Sequence, residues 1–443
     1  MDRTYNYHSF TRTLCSTCGK ICDAKIVYDA KGVYILKNCL SCGPHQELLE
    51  ELPEWHLKKA LYDKPATISP TQTKVKHGCP FDCGLCPAHD QHTCIGLIEI
   101  NKRCNWDCPH CYARAADSKD LSLKMIEKMM DFYQKTEGNK AEILQISGGE
   151  PTLHPDILQI IQMAKDKGFK YVMLNTNGSL IDDAFAKKLA KFRGGFEVYL
   201  HFDGVNKISS QAVKNLNKHK VATTLVSTIH ELNQDQIGEI LTFAMKTTSV
   251  RGVNFQPMAY YSTVPAPQNR ITLSGILKRI ENQTKGLLKV NDFIPLPCNT
   301  ERNALTFLLR DKKGNLTPIT RDRDLSEFKN YIGSTFMFRV EDVLNNFDKD
   351  SSIFNLPGNC CDLITDIKKY LPLNFLLKSK EEKMKFVDDN TFRISVSYFL
   401  DKYNFDTKAA QKECVHIITP DMRKIPFSTY NMLHRQARDE YYR

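Results

Sequence analysis

Three cysteines on one short stretch, in IEINKRCNWDCPHCYAR, stand at C-x3-C-x2-C: Cys104, Cys108 and Cys111. Thiolates are soft ligands, and three at this spacing suit three irons of a cubane cluster while leaving the fourth iron without a protein ligand. An iron left open can chelate the amino and carboxylate groups of a small molecule and set its remaining atoms beside an electron donor. Half of a structural zinc site is the plain alternative for such a spacing alone. One predicted strand later comes ILQISGGEPTLHPD, in which Gly148 and Gly149 permit close approach of backbone to a ligand and Glu150 offers a carboxylate to an ammonium.

The chain has 16 cysteines in 443 residues, grouped at short spacings, which points to metal ligation more than to a disulfide framework. HGCPFDCGLCPAHDQHTC repeats the C-x3-C-x2-C spacing at Cys79, Cys83 and Cys86, with Cys94 after it. A fourth thiolate would close a cubane, so an auxiliary 4Fe-4S cluster is expected there, with zinc as the alternative. His77, His89 and His92 are potential substitute ligands, although surface or supporting positions are the commoner fate of such residues. Upstream, LCSTCGK and NCLSCGP are two C-x2-C-G knuckles, predicting one tetrahedral site of Cys15, Cys18, Cys39 and Cys42 for a single iron or zinc. Cys22 is left over as a buried thiol. Cys298, Cys360, Cys361 and Cys414 are far apart; they allow a third cubane, with His416 as a substitute ligand, or are ordinary buried thiols.

Between Tyr112 and Pro297 there is no cysteine, and strand-like and helix-like segments alternate: GLIEIN, LSLKMIEKMMDFYQK, EILQIS, DILQIIQMAKDKG, KYVMLN, DAFAKKLAKF, FEVYLHFD, VATTLVST, QIGEILTFAMKTT and GVNFQPM. Repeated β/α units imply a parallel sheet or barrel, and six apolar strands imply a partial one. Both motifs then fall in loops at carboxyl ends of strands, where reactive groups collect in such folds. Polar residues where later strands end are weaker candidates: Asn175 and Asn177, His201 and Asp203, Thr228, and Gln256. Each also suits ordinary turn or cap chemistry. The expected fold is α/β, a partial (β/α)6 barrel at 96–285, with a Cys-rich metal-binding extension at 1–95 and an α+β C-terminal domain at 286–443.

The Cys104 loop and the Gly-Gly-Glu turn, in this order on consecutive strands, resemble the radical S-adenosylmethionine (SAM) superfamily over roughly residues 95–262. The resemblance implies that Cys104, Cys108 and Cys111 bind a 4Fe-4S cluster carrying SAM, that His110 lies against adenine, and that Gly148, Gly149 and Glu150 hold the methionine end. The Cys79 string, the paired knuckles, PLPC at Cys298 and VHIITPDMRKIPF look like the group containing archaeal tetraether lipid synthase and the class D methylases. That group carries further cysteines just after the position of Cys298 and near that of Ser428, which this sequence lacks. The resemblance implies hydrogen abstraction from an unactivated carbon by a 5'-deoxyadenosyl radical, followed by C–C bond formation, in alkyl-chain coupling or in methylation. Lipid is the favoured substrate over pterin on the basic charge balance.

A net charge of +10, from 61 Lys and Arg against 51 Asp and Glu, is spread along the chain and suits acidic substrates, anionic headgroups or a partner reductase. No run of about 18 apolar residues occurs and the first ten residues are polar, so a cytoplasmic protein is expected, with membrane-surface contact open. The expected partners are a small-molecule or lipid substrate and an electron donor such as ferredoxin or flavodoxin, with no nucleic acid, for a monomer. A peptide-modifying radical SAM maturase is a rival reading. So is a non-enzymatic multi-zinc module, against which stand the Gly-Gly-Glu turn and the six-strand core.

Overall fold

The computed structural model describes residues 4–67, 69–109, 111–113, 118–261, 269–310, 314–321 and 390–442, with positions 326, 379, 382 and 386. His110, Cys360 and Cys361 lie outside the described residues.

The chain opens with an antiparallel meander: β1 (Asn6–Leu14), β2 (Ile21–Asp29), β3 (Gly32–Cys39) and β4 (Gly43–Glu50). Alternating side chains bury Ala24, Ile26, Val33, Ile35 and Leu49 on one face, the period of two expected of a half-buried sheet. The helix α1 (Pro53–Lys59) follows, starting with proline at its first position and burying Trp55. Polar clips tie the meander to the rest. Lys37 Nζ donates to Leu14 O, Ser16 Oγ and Lys402 O at 3.0, 3.0 and 2.8 Å, and Glu50 accepts from Lys59 Nζ and from the Ser274 amide.

From Ile95 the β/α alternation begins: β5 (Ile95–Glu99), α2 (Leu123–Thr136), β6 (Ile143–Ser147), α3 (Ile157–Asp166), β7 (Tyr171–Thr176), α4 (Asp183–Leu189), β8 (Phe196–His201), α5 (Lys207–Lys218), β9 (Thr223–Ile229), α6 (Ile237–Lys246) and β10 (Val250–Pro257). The six strands pair in parallel, in sequence order. β5 is buried along its whole length, as a strand covered on both faces must be. Helix starts are capped where the sequence supplies a small polar side chain: Ser122, Asp182 and Asn206 accept from the amides of Met125, Phe185 and Ser209. The helix α5 is absent from the pattern read from sequence. Its segment, KISSQAVKNLNK, has low helix propensity and buries only Ser209, Ala212, Val213 and Leu216.

Beyond α7 (Leu273–Gln283), the segment expected to be a separate C-terminal domain continues the same sheet. β11 (Ile294–Pro295), β12 (Asn303–Arg310) and β13 (Leu316–Pro318) are followed by β14 (Thr391–Ser397), which pairs parallel to β10. After α8 (Thr407–Gln411), β15 (Val415–Ile418) pairs parallel to β5, and β16 (Lys424–Pro426) returns antiparallel. The sheet order is β11-β12-β14-β10-β9-β8-β7-β6-β5-β15-β16, with β13 on β12. The six-strand barrel is thus widened by one parallel strand on each side, both from the C-terminal part of the chain.

Candidate active site and metal centres

β5 delivers the chain to the first thiol motif and β6 to the Gly-Gly-Glu turn, and hydrogen bonds join the two loops. Ile100 N–H donates to Ser147 O at 2.9 Å, Gly149 N–H to Asn101 O at 3.1 Å and Glu150 N–H to Arg103 O at 2.7 Å, while Asn101 Nδ2 donates to Glu150 O at 3.0 Å. The approach requires glycine. At Gly148 (φ +150°) a Cβ would lie 2.5 Å from Asn101 O, and at Gly149 it would lie 2.3 Å from Arg103 O. Asn101 Oδ1 is buried beside this turn without a partner among the described residues, leaving an acceptor for a bound group.

Cys104, Cys108 and Cys111 are partly exposed. Trp106 N–H points at Cys104 Sγ (3.4 Å), and Asn177 Nδ2, at the end of β7, lies 4.0 Å from the same sulfur and donates to Asn105 Oδ1 at 2.9 Å. Burial pushes the Cys104 thiol up despite that amide, and burial with the neighbouring thiols pushes Cys108 up to about 11. A cationic metal centre is what would hold Cys104 and Cys108 as thiolates against that shift.

Glu150 is buried, and its carboxylate is built into the site. Oε1 accepts from Thr152 N, Thr152 Oγ1 and Thr176 Oγ1 at 3.0, 2.5 and 2.7 Å, and Oε2 accepts from Asn177 N at 2.7 Å. With two lone pairs per oxygen, Oε2 keeps one acceptor position.

The remaining strand-end residues divide. Asn175 accepts from Gln145 at 2.6 Å inside the barrel. His201 Nε2 stands 3.2 Å from Asp203 Oδ2, whose other oxygen takes the Thr228 amide at 2.7 Å, and the His201 ring meets Trp106 edge-on at 6.0 Å. Burial lowers the His201 pKa, but the bond to Asp203 and that carboxylate's charge outweigh it, so the net shift is upward. Gln256 pairs beside Thr228 on β10. Sequence reading missed the brace behind the thiol loop. Arg435 makes a two-pronged pair with Glu99 (3.0 and 2.7 Å), Tyr442 Oη donates to Glu99 O (2.9 Å), and Arg435 lies over the Tyr112 ring. One arginine in a polar C-terminal stretch carries no periodic signal.

Among the described residues, two sets of three or more ligand atoms close to within 4.8 Å of one another. One is the expected Cys15, Cys18, Cys39 and Cys42. Its knuckles are the β1–β2 and β3–β4 turns, closed by Gly19 and Gly43 at positive φ. Cys18 and Cys39 sulfurs lie 3.7 Å apart, near the edge of about 3.8 Å that four Zn–S bonds of ~2.3 Å make in a tetrahedron. Cys22 is buried beside this set, and burial raises its thiol.

The second set corrects an expectation. Cys79, Cys83 and Cys86 line a small pocket with Asp82, His89 and Thr429, but Cys94 does not line it. Its sulfur lies instead with those of Cys298 and Cys414. The cause is strand register: Ile95 pairs with Val415, and Cys94 N–H donates to Cys414 O at 2.9 Å. The Cys79 loop is ordered by Asp82, which accepts from the amides of Lys76, His77 and Gly78 at 2.6 to 2.8 Å.

An open parallel barrel with a three-thiol loop after its first strand and a Gly-Gly-Glu turn after its second defines an enzyme class that binds a 4Fe-4S cluster and SAM. The chain belongs to the radical SAM superfamily. Residues 98–246 match the radical SAM superfamily domain, and residues 7–51 match the HMPTM N-terminal zinc ribbon domain. The chain is 32% identical to the 7,8-dihydro-6-hydroxymethylpterin dimethyltransferase of Methanocaldococcus jannaschii, over 97% of this chain and 94% of that protein. It is 33% identical to the Fe-coproporphyrin III synthase of Methanosarcina barkeri over 25% of this chain and 26% of that one. The crystal structure of Streptococcus suis SuiB bound to S-adenosylmethionine overlaps 44% of this chain and 47% of its own, with a TM-score of 0.38 and 16% identity. No helix among the described residues is long and apolar enough to cross a membrane.

The residues present fit the implied cofactors. Cys104, Cys108 and Cys111 would hold the cluster, and the Gly-Gly-Glu turn, with its buried acceptors on Asn101 and Glu150, would receive an ammonium.

Proposed function

We propose that this radical SAM enzyme is a C-methyltransferase acting on a pterin-like heterocycle, forming a C–C bond at a carbon without an acidic proton. The observation that carries the reading is the near full-length relationship to a protein described as a pterin dimethyltransferase. It turns the preference drawn from charge alone, lipid over pterin, the other way. Cys104, Cys108 and Cys111 would hold the cluster and the Gly-Gly-Glu turn the SAM, which together would supply one-electron reductive cleavage and radical chemistry. The chain's own part is positioning. Asn105, Trp106 and Asn177 order the cluster loop, Glu150 orients the amino end of SAM, and His201, Asp203 and Thr228 give the barrel mouth a polar wall for a heterocycle. Electrons would come from a ferredoxin or flavodoxin, and Cys79, Cys83 and Cys86 would hold three irons of an auxiliary cluster.

The SAM cleaved at the cluster leaves as methionine with its methyl group, so the transferred carbon comes from a folate-like one-carbon donor. The test is anaerobic reconstitution and incubation with SAM, a reductant, such a donor and 7,8-dihydro-6-hydroxymethylpterin, followed by mass spectrometry. Gain of a methyl group on the pterin is expected. Formation of 5'-deoxyadenosine stimulated by an isoprenoid ether lipid and not by the pterin would replace this reading with alkyl coupling.

A further inference from the structure

The turn that carries Cys79 has an outer face with no part in positioning SAM or substrate. Lys74, Lys76 and His77 are exposed on it, Val75 and Phe81 are exposed large apolar side chains of the same turn, and Cys79 itself is only partly buried. Asp82 is the single acid between 71 and 87, and one of its carboxylate oxygens accepts from the amides of Lys76, His77 and Gly78. Arg423, on the β15–β16 turn, runs beside Gly84. Asp421 of that turn is shared by Arg423 and Arg438 at 3.3 and 3.1 Å. The face therefore sets positive charge around apolar side chains, with its carboxylates already engaged.

The inner side of the same loop leads to the other thiol motif. Cys83 is buried in one apolar cluster with Leu97, Ile417, Phe427 and Tyr430, and Tyr112 packs against that cluster. Tyr112 directly follows Cys111, and its ring meets that of Phe427 edge-on at 5.4 Å. Close-packed protein joins the two motifs, a medium that carries an electron between centres better than a water-filled gap does. The barrel mouth is a poorer landing place for an acidic protein. Asp107, Asp182, Glu231 and Asp235 are exposed on the loops after β5, β7 and β9, and the mouth must also admit substrate.

We propose that the turn from Lys74 to Phe81 is the docking face for an acidic one-electron carrier protein, whose electron enters at Cys79, Cys83 and Cys86 and passes inward to the SAM cluster. The inference rests on the reading that these three cysteines hold an auxiliary cluster. One electron leaves the carrier, which is oxidised, for each carbon–sulfur bond of SAM that is cleaved. Lysines beside Val75 and Phe81 would also suit an anionic membrane. The thiols within the turn and their packed contact with Tyr112 favour the electron donor.

The test compares reconstituted full-length protein with its Lys74→Glu, Lys76→Glu double variant, using an acidic 4Fe-4S ferredoxin as the probe. Ferredoxin binding is followed by surface plasmon resonance at low and high salt, and SAM cleavage is driven once by reduced ferredoxin and once by dithionite. The association rate at low salt should fall by about tenfold or more in the double variant, with the difference shrinking as salt screens it. Formation of 5'-deoxyadenosine should fall with ferredoxin and stay unchanged with dithionite, which needs no docking face. Unchanged ferredoxin binding in the double variant, or a loss produced instead by Lys207→Glu at the barrel mouth, would overturn the proposal. Unchanged ferredoxin binding together with lost binding to phosphatidylserine vesicles would put a membrane in the carrier's place. The premise is checked separately: full iron and sulfide in a Cys79→Ala, Cys83→Ala, Cys86→Ala variant would remove the centre behind the face, whatever the ferredoxin affinity.

Discussion

Replacing Gly149 by Ala is the sharpest probe of how the two loops hold each other. The added Cβ would lie 2.3 Å from Arg103 O and 2.6 Å from Lys102 O, whereas ordinary contact begins at 3.4 Å. Both obstructing atoms are backbone, immediately before Cys104, so no side chain can swing aside. Relief requires the thiol loop and the Gly-Gly-Glu turn to separate by roughly 1 Å, a displacement that can cost about 10²-fold in rate when it falls on positioning groups. It would also strain the 2.7 Å bond from Glu150 N–H to Arg103 O. The stability cost of such overpacking is about 1–3 kcal/mol, which leaves the protein folded. The expected outcome is therefore a fall of about a hundredfold in 5'-deoxyadenosine production, with iron content kept and only a modest drop in Tm. A wild-type rate in the folded variant would refute the argument that this contact sets the cluster loop.

Glu150→Gln keeps the volume but turns an amide NH2 on surrounding donors and removes the charge. SAM affinity should fall by roughly ten- to hundredfold, the equivalent of a charge-assisted bond of about 1.5–3 kcal/mol, with iron unchanged; wild-type SAM binding would take Glu150 out of the site. Alanine at Cys104, Cys108 and Cys111 together should abolish 5'-deoxyadenosine formation. Alanine at Cys79, Cys83 and Cys86 should remove iron and sulfide yet spare uncoupled SAM cleavage while product is lost, and the opposite pattern would exchange the two assignments. The His201 pKa is raised above 6.5 in the fold. Its pairing with Asp203 should therefore stabilise fully below the ordinary histidine value and lose its contribution as pH rises through the raised one. An NMR titration placing His201 below 6.5 would contradict this.

The barrel and the thiol loop were legible because both are local. β5 to β10 are apolar runs separated by helical periodicity, and Cys104, Cys108 and Cys111 lie within one loop. The ribbon site was legible for the same reason, each knuckle being a single turn. What stayed hidden depends on pairing between distant segments. Cys94 reads as the end of the Cys79 string because they are neighbours in sequence, but β15 pairs with β5 and carries Cys414 to it. The brace of Glu99 by Arg435 and Tyr442 has no spacing signature, and α5 hides because polar residues on its outer face outnumber the apolar ones that anchor it. Glu150 was recognised by type, yet its four donors come partly from Thr176 and Asn177 at the end of another strand.

The way the sheet is completed also bears on how the chain folds. The six central strands are joined by successive β/α connections and can assemble as they are made, but the outer edges of β5 and β10 are covered by strands from 415–418 and 391–397. Such long-range pairing is slow because loop closure precedes any gain from contact. Until it is reached, the half-finished sheet offers two unpaired edges of apolar strand to other chains. Recovery of active protein should therefore be governed by the race between edge closure and intermolecular strand pairing, a race that slow synthesis and dilute refolding favour.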